Sequence, residues 1–249
     1  MKAAVVGENG VEIRDLPKPE PKPNEVLIRV RASSLNRADV GVAAGHQHGR
    51  VGGVGSRIGL ECSGEIEAVG SEVKDFKPGD RVMGAAPGGY AEYATADQGR
   101  VNRIPANNMT YEQAACLPVA LQTLHNAIVT AGRFKRGESL LIQGASSGVG
   151  LMGLQIGKLL GASIVMGTST NAARRAKLKD YGCDLAIDRT RTQAELNEVT
   201  RLMRADLWPA VEAGKLSLPI DKTFPLDKVT DALAMMRANQ HFGKIVLVI

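Results

Sequence analysis

The chain is poor in cysteine, in rings and in long apolar runs, and each shortage excludes something. Cys62, Cys116 and Cys183 are odd in number, far apart and outside any C-x-x-C. That excludes a disulfide framework and a cysteine-built zinc cluster, and it points to a reducing, cytoplasmic setting. Aromatic residues make up 4% of the 249 positions, with a single Trp. The core must therefore be aliphatic, and no aromatic-rich basic face is present to hold nucleic acid. The net charge of +5 and pI near 9.2 are spread along the chain, and a nucleotide phosphate accounts for such a surplus more economically. No apolar run approaches membrane-spanning length, and the opening MKAAVVGENG lacks the apolar stretch of a signal peptide. With 44% hydrophobic and 23% charged residues, the chain suits one large or two small globular domains with a real core.

The first hundred residues read as short strands between Gly and Pro punctuation. Segments 2–7 and 11–14 bracket the turn Glu8-Asn9-Gly10, which predicts a hairpin. PKPEPKPN at 17–24 is a stiff connector. Segment 25–32 alternates, with Val26, Ile28, Val30 and Ala32 on one face and Leu27, Arg29 and Arg31 on the other. Further strands are predicted at 61–69, 81–85, 90–94 and 101–104, a spacing that suggests a β-barrel-like domain. After Thr110 the period changes. Residues 111–131 read as helical with an interruption at Pro118, and then strand 139–143, helix 148–160, strand 163–168, helix 171–181 and strand 184–188 alternate. That alternation predicts a parallel, doubly wound sheet. From Thr192 to about Gly214 the chain reads as helical with a kink near Pro209, followed by 219–224, a helix at 226–238 and an apolar strand at 244–249. There is no internal repeat.

The densest information lies at 137–158. An apolar strand runs into Gly144-Ala145-Ser146-Ser147-Gly148-Val149-Gly150, and Val149, Met152, Ile156 and Leu159 then follow at helical spacing. Strand, small-residue turn and helix is how an α/β protein holds a phosphate: backbone N–H groups approach the anion and the helix N-terminus adds partial positive charge. The strict G-x-G-x-x-G form fails, because Ala145 and Ser147 stand at its first two glycines and only Gly150 keeps its place. A tight strand-to-helix turn without a ligand remains the alternative. The second strand ends in Gly167-Thr168-Ser169-Thr170-Asn171, without the Asp or Glu that takes the ribose 2′-hydroxyl of NAD. Hydroxyls stand there instead, with Arg174 and Arg175 one helical turn on. A guanidinium suits a 2′-phosphate, which favours NADPH; a solvated basic helix face is the alternative.

The stretch from Gly137 to Lys158, with Ala145-Ser146-Ser147-Gly148-Val149-Gly150 and Gln155, resembles the signature of the zinc-independent quinone oxidoreductase branch of the medium-chain dehydrogenase/reductase superfamily. Only Ser147 departs from it, where the family usually has Gly. SLNRAD at 34–39, GLECSG at 59–64, FKPGDRV at 76–82, GGYAEY at 88–93 and FGKIVL at 242–247 match in family order. The resemblance implies an α/β plus β architecture: a GroES-like β-barrel substrate domain at 1–118, a Rossmann-type NADPH-binding domain at 119–214, and a C-terminal segment at 215–249 returning to the first domain. It implies a small-molecule substrate and a homodimer, and neither nucleic acid nor membrane as partner. By the same resemblance Asn36 lies near the nicotinamide, Thr123 contacts the cofactor, Ala145 through Gly150 with Thr168 line it, Ser169 and Arg174 take the 2′-phosphate, and Arg189 lies against the adenine. Gln47 falls where many relatives carry a Tyr beside the substrate, so Asn36 and Gln47 are the substrate-side candidates and no catalytic side chain is assigned. A turn amide for Asn36 and a helix-capping hydroxyl for Thr123 are the alternatives.

Zinc relatives use a Cys and a Gly-His-Glu stretch. Here Asn36 resembles the Cys position, and Leu60 replaces the His in Gly59-Leu60-Glu61. Leucine cannot ligate zinc and an amide replaces thiolate poorly. His46 and His48 lack a third nearby ligand, so no metal is expected. Without zinc to polarise a carbonyl, the compatible chemistry is hydride transfer from NADPH to a quinone or an α,β-unsaturated carbonyl. GASSGVG also resembles short-chain dehydrogenases, but those need Tyr-x-x-x-Lys, and the fourth residue after each tyrosine is Ala94, Asp97, Ala115 or Leu185. Only one β-α-β-α-β half of a dinucleotide domain is legible, and Thr190-Arg191-Thr192-Gln193 leads into a helix resembling a much later family segment. The dinucleotide domain is therefore expected to be incomplete after about 190. Either residues of that domain are absent from this sequence or the protein carries a true internal deletion; in the second case strand 139–143 becomes an exposed sheet edge, and a second reading, an NADPH-binding relative without turnover, stays open.

Overall fold

A computed structural model of the chain describes residues 1–48, 51–106, 108–188 and 203–249. The chain divides into two compact units, Met1–Pro118 with Ile220–Ile249, and Val119–Pro219.

The first unit is mostly β. Its strands are β1 (Lys2–Gly7), β2 (Gly10–Asp15), β3 (Glu25–Ser34), β4 (Cys62–Val69), β5 (Arg81–Gly84), β6 (Tyr93–Asp97), β7 (Val101–Arg103), β11 (Ile220–Pro225) and β12 (Lys244–Val248). β1 and β2 form the predicted hairpin, with Gly7 opposite Gly10. The remaining strands run in the order β11-β12-β3-β4-β5-β7, and β6 also pairs with β3. β3 is the hub: it meets β4, β6 and β12. Because it is covered on both faces, Leu27 is as buried as Val26 and Ile28, and the polar face expected from alternation shrinks to Arg29 and Arg31. The strand expected at 90–94 begins instead at Tyr93, because Tyr90 is turned fully inward. Two apolar clusters fill the unit. One gathers Val26, Ile28, Val30, Ile66 and Val82. The other joins Ala4, Val6 and Ile58 to Ile245 and Leu247 of β12 and to Val229, Ala232, Leu233 and Met236 of the helix Val229–Ala238. Those four helix residues lie at i, i+3, i+4 and i+7, one apolar stripe. That stripe fastens the C-terminal segment to β1.

The second unit carries the predicted alternation: β8 (Ser139–Ile142), α4 (Gly148–Leu159), β9 (Ile164–Thr168), α5 (Ala172–Ala176) and β10 (Leu185–Ile187). Its sheet is parallel, in the order β10-β9-β8. Among the described residues β8 is therefore an edge, and Leu141 on it is 47% exposed. α4 lies close on the sheet because Gly153 and Gly157 face it. A Cβ on Gly153 would stand 2.9 Å from Ile142, and one on Gly157 2.7 Å from Leu140. The helix expected at 171–181 divides into α5 and a 3₁₀ turn, Leu178–Tyr181. The helix near Pro209 restarts as Trp208–Glu212, with the proline in its first turn, where a missing N–H costs nothing. The 192–202 part of that expected helix lies outside the described residues.

One expectation needs correction. Tyr111–Ala131 is a 21-residue helical span of mean hydropathy 1.3, long and apolar enough to cross a membrane. It is built from α2 (Tyr111–Ala115), α3 (Pro118–His125) and a π-helical stretch, Asn126–Ala131. Two thirds of its most apolar window is buried within the protein; the apolarity belongs to a core helix.

Candidate functional site

The turn between β8 and α4 is tied to the end of β9. The Gly144 N–H donates to Thr168 Oγ1 at 3.0 Å and the Ala145 N–H to the Thr168 carbonyl at 2.7 Å. Gly144 has φ of +62°, which a glycine adopts without strain. Ser147 is the N-cap of α4: its Oγ accepts from the Gly150 N–H at 3.1 Å. That explains a serine at the family's glycine position, since a capping hydroxyl is worth about 1 kcal/mol to the helix. Gly150 has no alternative. A Cβ there would lie 2.4 Å from the Gly144 carbonyl oxygen and 2.5 Å from Ala145 Cα, so glycine is what lets the helix begin against the turn. Among the described residues the amides of Ser146, Gly148 and Val149 have no acceptor. Three donors without an acceptor among the described residues, at the start of a twelve-residue helix, make an anion cradle.

The second strand delivers the polar end of the cradle. Ser146 Oγ and Ser169 Oγ are 2.9 Å apart, and Ser169 is 6% exposed. Asn171 caps α5, accepting from the Arg174 N–H at 2.9 Å. The two arginines then part company. Arg175 donates to the Ser169 carbonyl and pairs with Asp188 at 3.0 Å, so it holds the loop. The Arg174 side chain has no hydrogen-bond or ionic partner among the described residues and is only half-buried. Thr123 is half-buried on α3, and Arg189 lies outside the described residues.

In the first unit Asn36 sits in a buried cluster. It precedes α1 (Arg37–Ala43) and is 8% exposed. Its Nδ2 donates to Glu61 Oε1 at 2.9 Å, and its Oδ1 accepts from Lys244 Nζ at 3.2 Å. Lys244 also donates to Glu61 Oε1 at 2.9 Å, while Ser34 Oγ donates to the same oxygen. Burial alone would lower the Lys244 pKa, yet Glu61 above all, through its charge and hydrogen bond, holds it above its ordinary value. Beside this cluster the Tyr90 O–H and the Asn36 N–H both donate to Asp39 Oδ2, each at 2.6 Å. Burial pushes the Asp39 carboxyl up to about 6 against those two hydrogen bonds. The thiols of Cys62 and Cys116 are pushed up to about 12, chiefly by burial, so neither serves as a thiolate. Gln47 is exposed and does not join the cluster. Sequence reading missed the partnership of Glu61 with Lys244. Its signal was present: a lysine inside the apolar strand GKIVLV, and a glutamate between Leu60 and Cys62.

Two family models match the chain: the alcohol dehydrogenase GroES-like domain over residues 22–106 and the zinc-binding dehydrogenase model over residues 147–247. Human quinone oxidoreductase is 34% identical over 168 residues, which is 67% of this chain and 50% of that protein. In its two dehydrogenase domain models and in this relative, the chain is similar to the quinone oxidoreductase branch of the medium-chain dehydrogenase/reductase superfamily.

Similarity also extends into much longer relatives of this branch. The hybrid PKS-NRPS synthetase pyvA of Aspergillus violaceofuscus is 35% identical over 182 residues, 72% of this chain and 4% of that protein. The chain thus spans at most half the length of these curated relatives. Among solved structures, mycobacterial Rv1454c complexed with NADPH has a TM-score of 0.86 at 22% identity, covering 100% of both chains. The quinone oxidoreductase fold, a GroES-like unit with a Rossmann-type unit, is what the described strands and helices build.

Proposed function

We propose that this chain is an NADPH-dependent, zinc-independent oxidoreductase that reduces a quinone or an α,β-unsaturated carbonyl. The observation that carries the reading is the β8–α4 turn, with three amides that have no acceptor among the described residues, and Arg174, likewise without a side-chain partner among them, one helical turn beyond Ser169. Ser146, Gly148 and Val149 hold the pyrophosphate through their N–H groups, with Ala145, Ser147 and Gly150 shaping the turn and Thr168 fixing it. Ser169 and Arg174 take the 2′-phosphate, which no carboxylate opposes at this strand end. On family position, Asn36, Thr123 and Arg189 are further cofactor contacts and Gln47 is a substrate-side residue. When bound, NADPH supplies a hydride to an electron-poor π system.

This chain's own residues orient and hold. Glu61 and Lys244 fix the Asn36 amide in one direction, leaving it one spare N–H to donate. Leu60 and Asn36 replace ligands that zinc needs, and Asn36 is already engaged with Glu61 and Lys244. The three-stranded sheet also supports the second reading, a relative that binds NADPH without turnover. We extend the family reading to a homodimer, which the solution mass measures. Titration of the chain with NADPH and NADH tests the cofactor: tighter NADPH supports the proposal, and equal or tighter NADH overturns it. Stoichiometric zinc by elemental analysis would overturn the zinc-independent part.

A further inference from the structure

The first unit holds a cavity to which the proposed function assigns no residue. It measures about 190 Å³ and is lined by Val51, Ser56, Arg57, Pro87 and Gly88. Sites for whole drug-sized ligands run to roughly 300–1,000 Å³, so this one has room for an end group. Its wall is firm. Residue 57 bridges Val5 of β1, the Val6 N–H donates to the Ser56 carbonyl at 2.9 Å, and the Ile58 N–H donates to the Ala4 carbonyl at 3.0 Å. Opposite it, Gly88 has φ of +80°, and a Cβ there would meet Arg57 Cβ at 3.0 Å and Nε at 3.1 Å. The absent side chain is what lets the arginine lie along the backbone.

Arg57 in this cavity has no anion. Among the described residues no carboxylate pairs with it, and its Nη1 is buried without a hydrogen-bond partner. Burial lowers its pKa, and no neighbouring negative charge offsets the effect. A guanidinium stays protonated under any ordinary condition, so this is a half-buried, uncompensated cation, a costly arrangement unless a partner arrives. The cavity is built from the same loop that presents Gln47, whose Nε2 lies 3.9 Å from the Cβ position of Gly53.

We propose that Arg57 is an anion-binding residue, and that the reducible acceptor carries a carboxylate or phosphate that docks in this cavity. The inference rests on the proposed reductase reading for its link to the acceptor. The guanidinium gives the anion a forked pair of donors, and Ser56, Pro87 and Gly88 close the sides.

The test is titration of the full chain with crotonate, inorganic phosphate and neutral crotonamide, followed by NMR at the Gly88 amide and the Arg57 Nε–H. Saturable shifts with crotonate or phosphate and none with crotonamide are expected, and the tighter of the two anions identifies the source of the charge. Arg57→Gln should weaken that binding about tenfold or more. Ser56→Asp, which supplies an internal carboxylate for Arg57, should do the same without removing the arginine. Equal shifts with crotonamide, no saturation by either anion, or unchanged affinity in both variants would overturn the proposal. NADPH titration of the same samples separates the two readings. If anions bind and NADPH does not, the cofactor reading falls and the anion site stands; in the reverse case only the anion site falls.

Discussion

Replacing Arg174 by Ala should discriminate between the two dinucleotides. The side chain has no partner among the described residues, so its removal breaks no bond seen there and should leave the fold intact. What it loses is a charge-assisted hydrogen bond to the 2′-phosphate, worth about 1–3 kcal/mol. That corresponds to roughly 5- to 150-fold weaker NADPH binding, since every 1.4 kcal/mol is tenfold. NADH lacks the phosphate and should bind as before. Arg175→Ala is the internal control. Its guanidinium holds the Ser169 carbonyl and pairs with Asp188, whose side chain is 60% exposed. An exposed pair of this kind contributes about 0–1 kcal/mol, so the variant should lose a little stability and far less NADPH affinity than Arg174→Ala. Isothermal titration of both variants with both cofactors reads this out, and added salt should shrink the Arg174 effect. NADPH affinity within twofold of wild type in Arg174→Ala, or an equal loss for NADH, would refute the reasoning.

Lys244→Met should destabilise the chain by about 3–5 kcal/mol, because fully buried Glu61 loses its ionic partner; chemical denaturation measures this. Adding Glu61→Leu to it should recover only part of that loss, since the buried charge goes but Ser34 and Asn36 lose their acceptor. Asp39 predicts a pH dependence. Its folded pKa, about 6, lies above its ordinary 3.8, so the folded state holds the proton longer than the unfolded chain does. Stability should therefore fall as pH rises from about 4 to 6, by on the order of 3 kcal/mol, and level off above that range. Denaturation midpoints across that window should show the slope in wild type and lose it in Asp39→Asn.

The second unit was largely legible because its signals are local. The switch from strand to helix period and the glycine kept at Gly150 are set by neighbours in sequence, whereas the capping role of Ser147 emerged only in the structure. The division of labour between Arg174 and Arg175 was not legible. Both sit one turn into α5, and only the placement of Asp188 and the Ser169 carbonyl decides which guanidinium is taken. In the first unit, periodicity found β3, but Leu27 shows its limit: a strand covered on both faces does not alternate. The cluster of Asn36, Glu61 and Lys244 joins residues 25 and 208 positions apart, a distance at which local pattern carries no information. Arg57 escaped notice for a related reason, since a lone arginine between Ser56 and Ile58 looks like surface until the backbone of Gly88 closes over it.

The most direct test of hydride delivery is an isotope experiment on the full chain. NADPH carrying deuterium at the reactive carbon of the nicotinamide is incubated with the protein and an α,β-unsaturated carbonyl, and the product is examined by mass spectrometry. The account predicts one deuterium on the β-carbon of the reduced product, with labelled NADH giving far less. NADPH that binds but delivers no deuterium at any acceptor would contradict the reductase reading and leave a cofactor-binding protein without turnover.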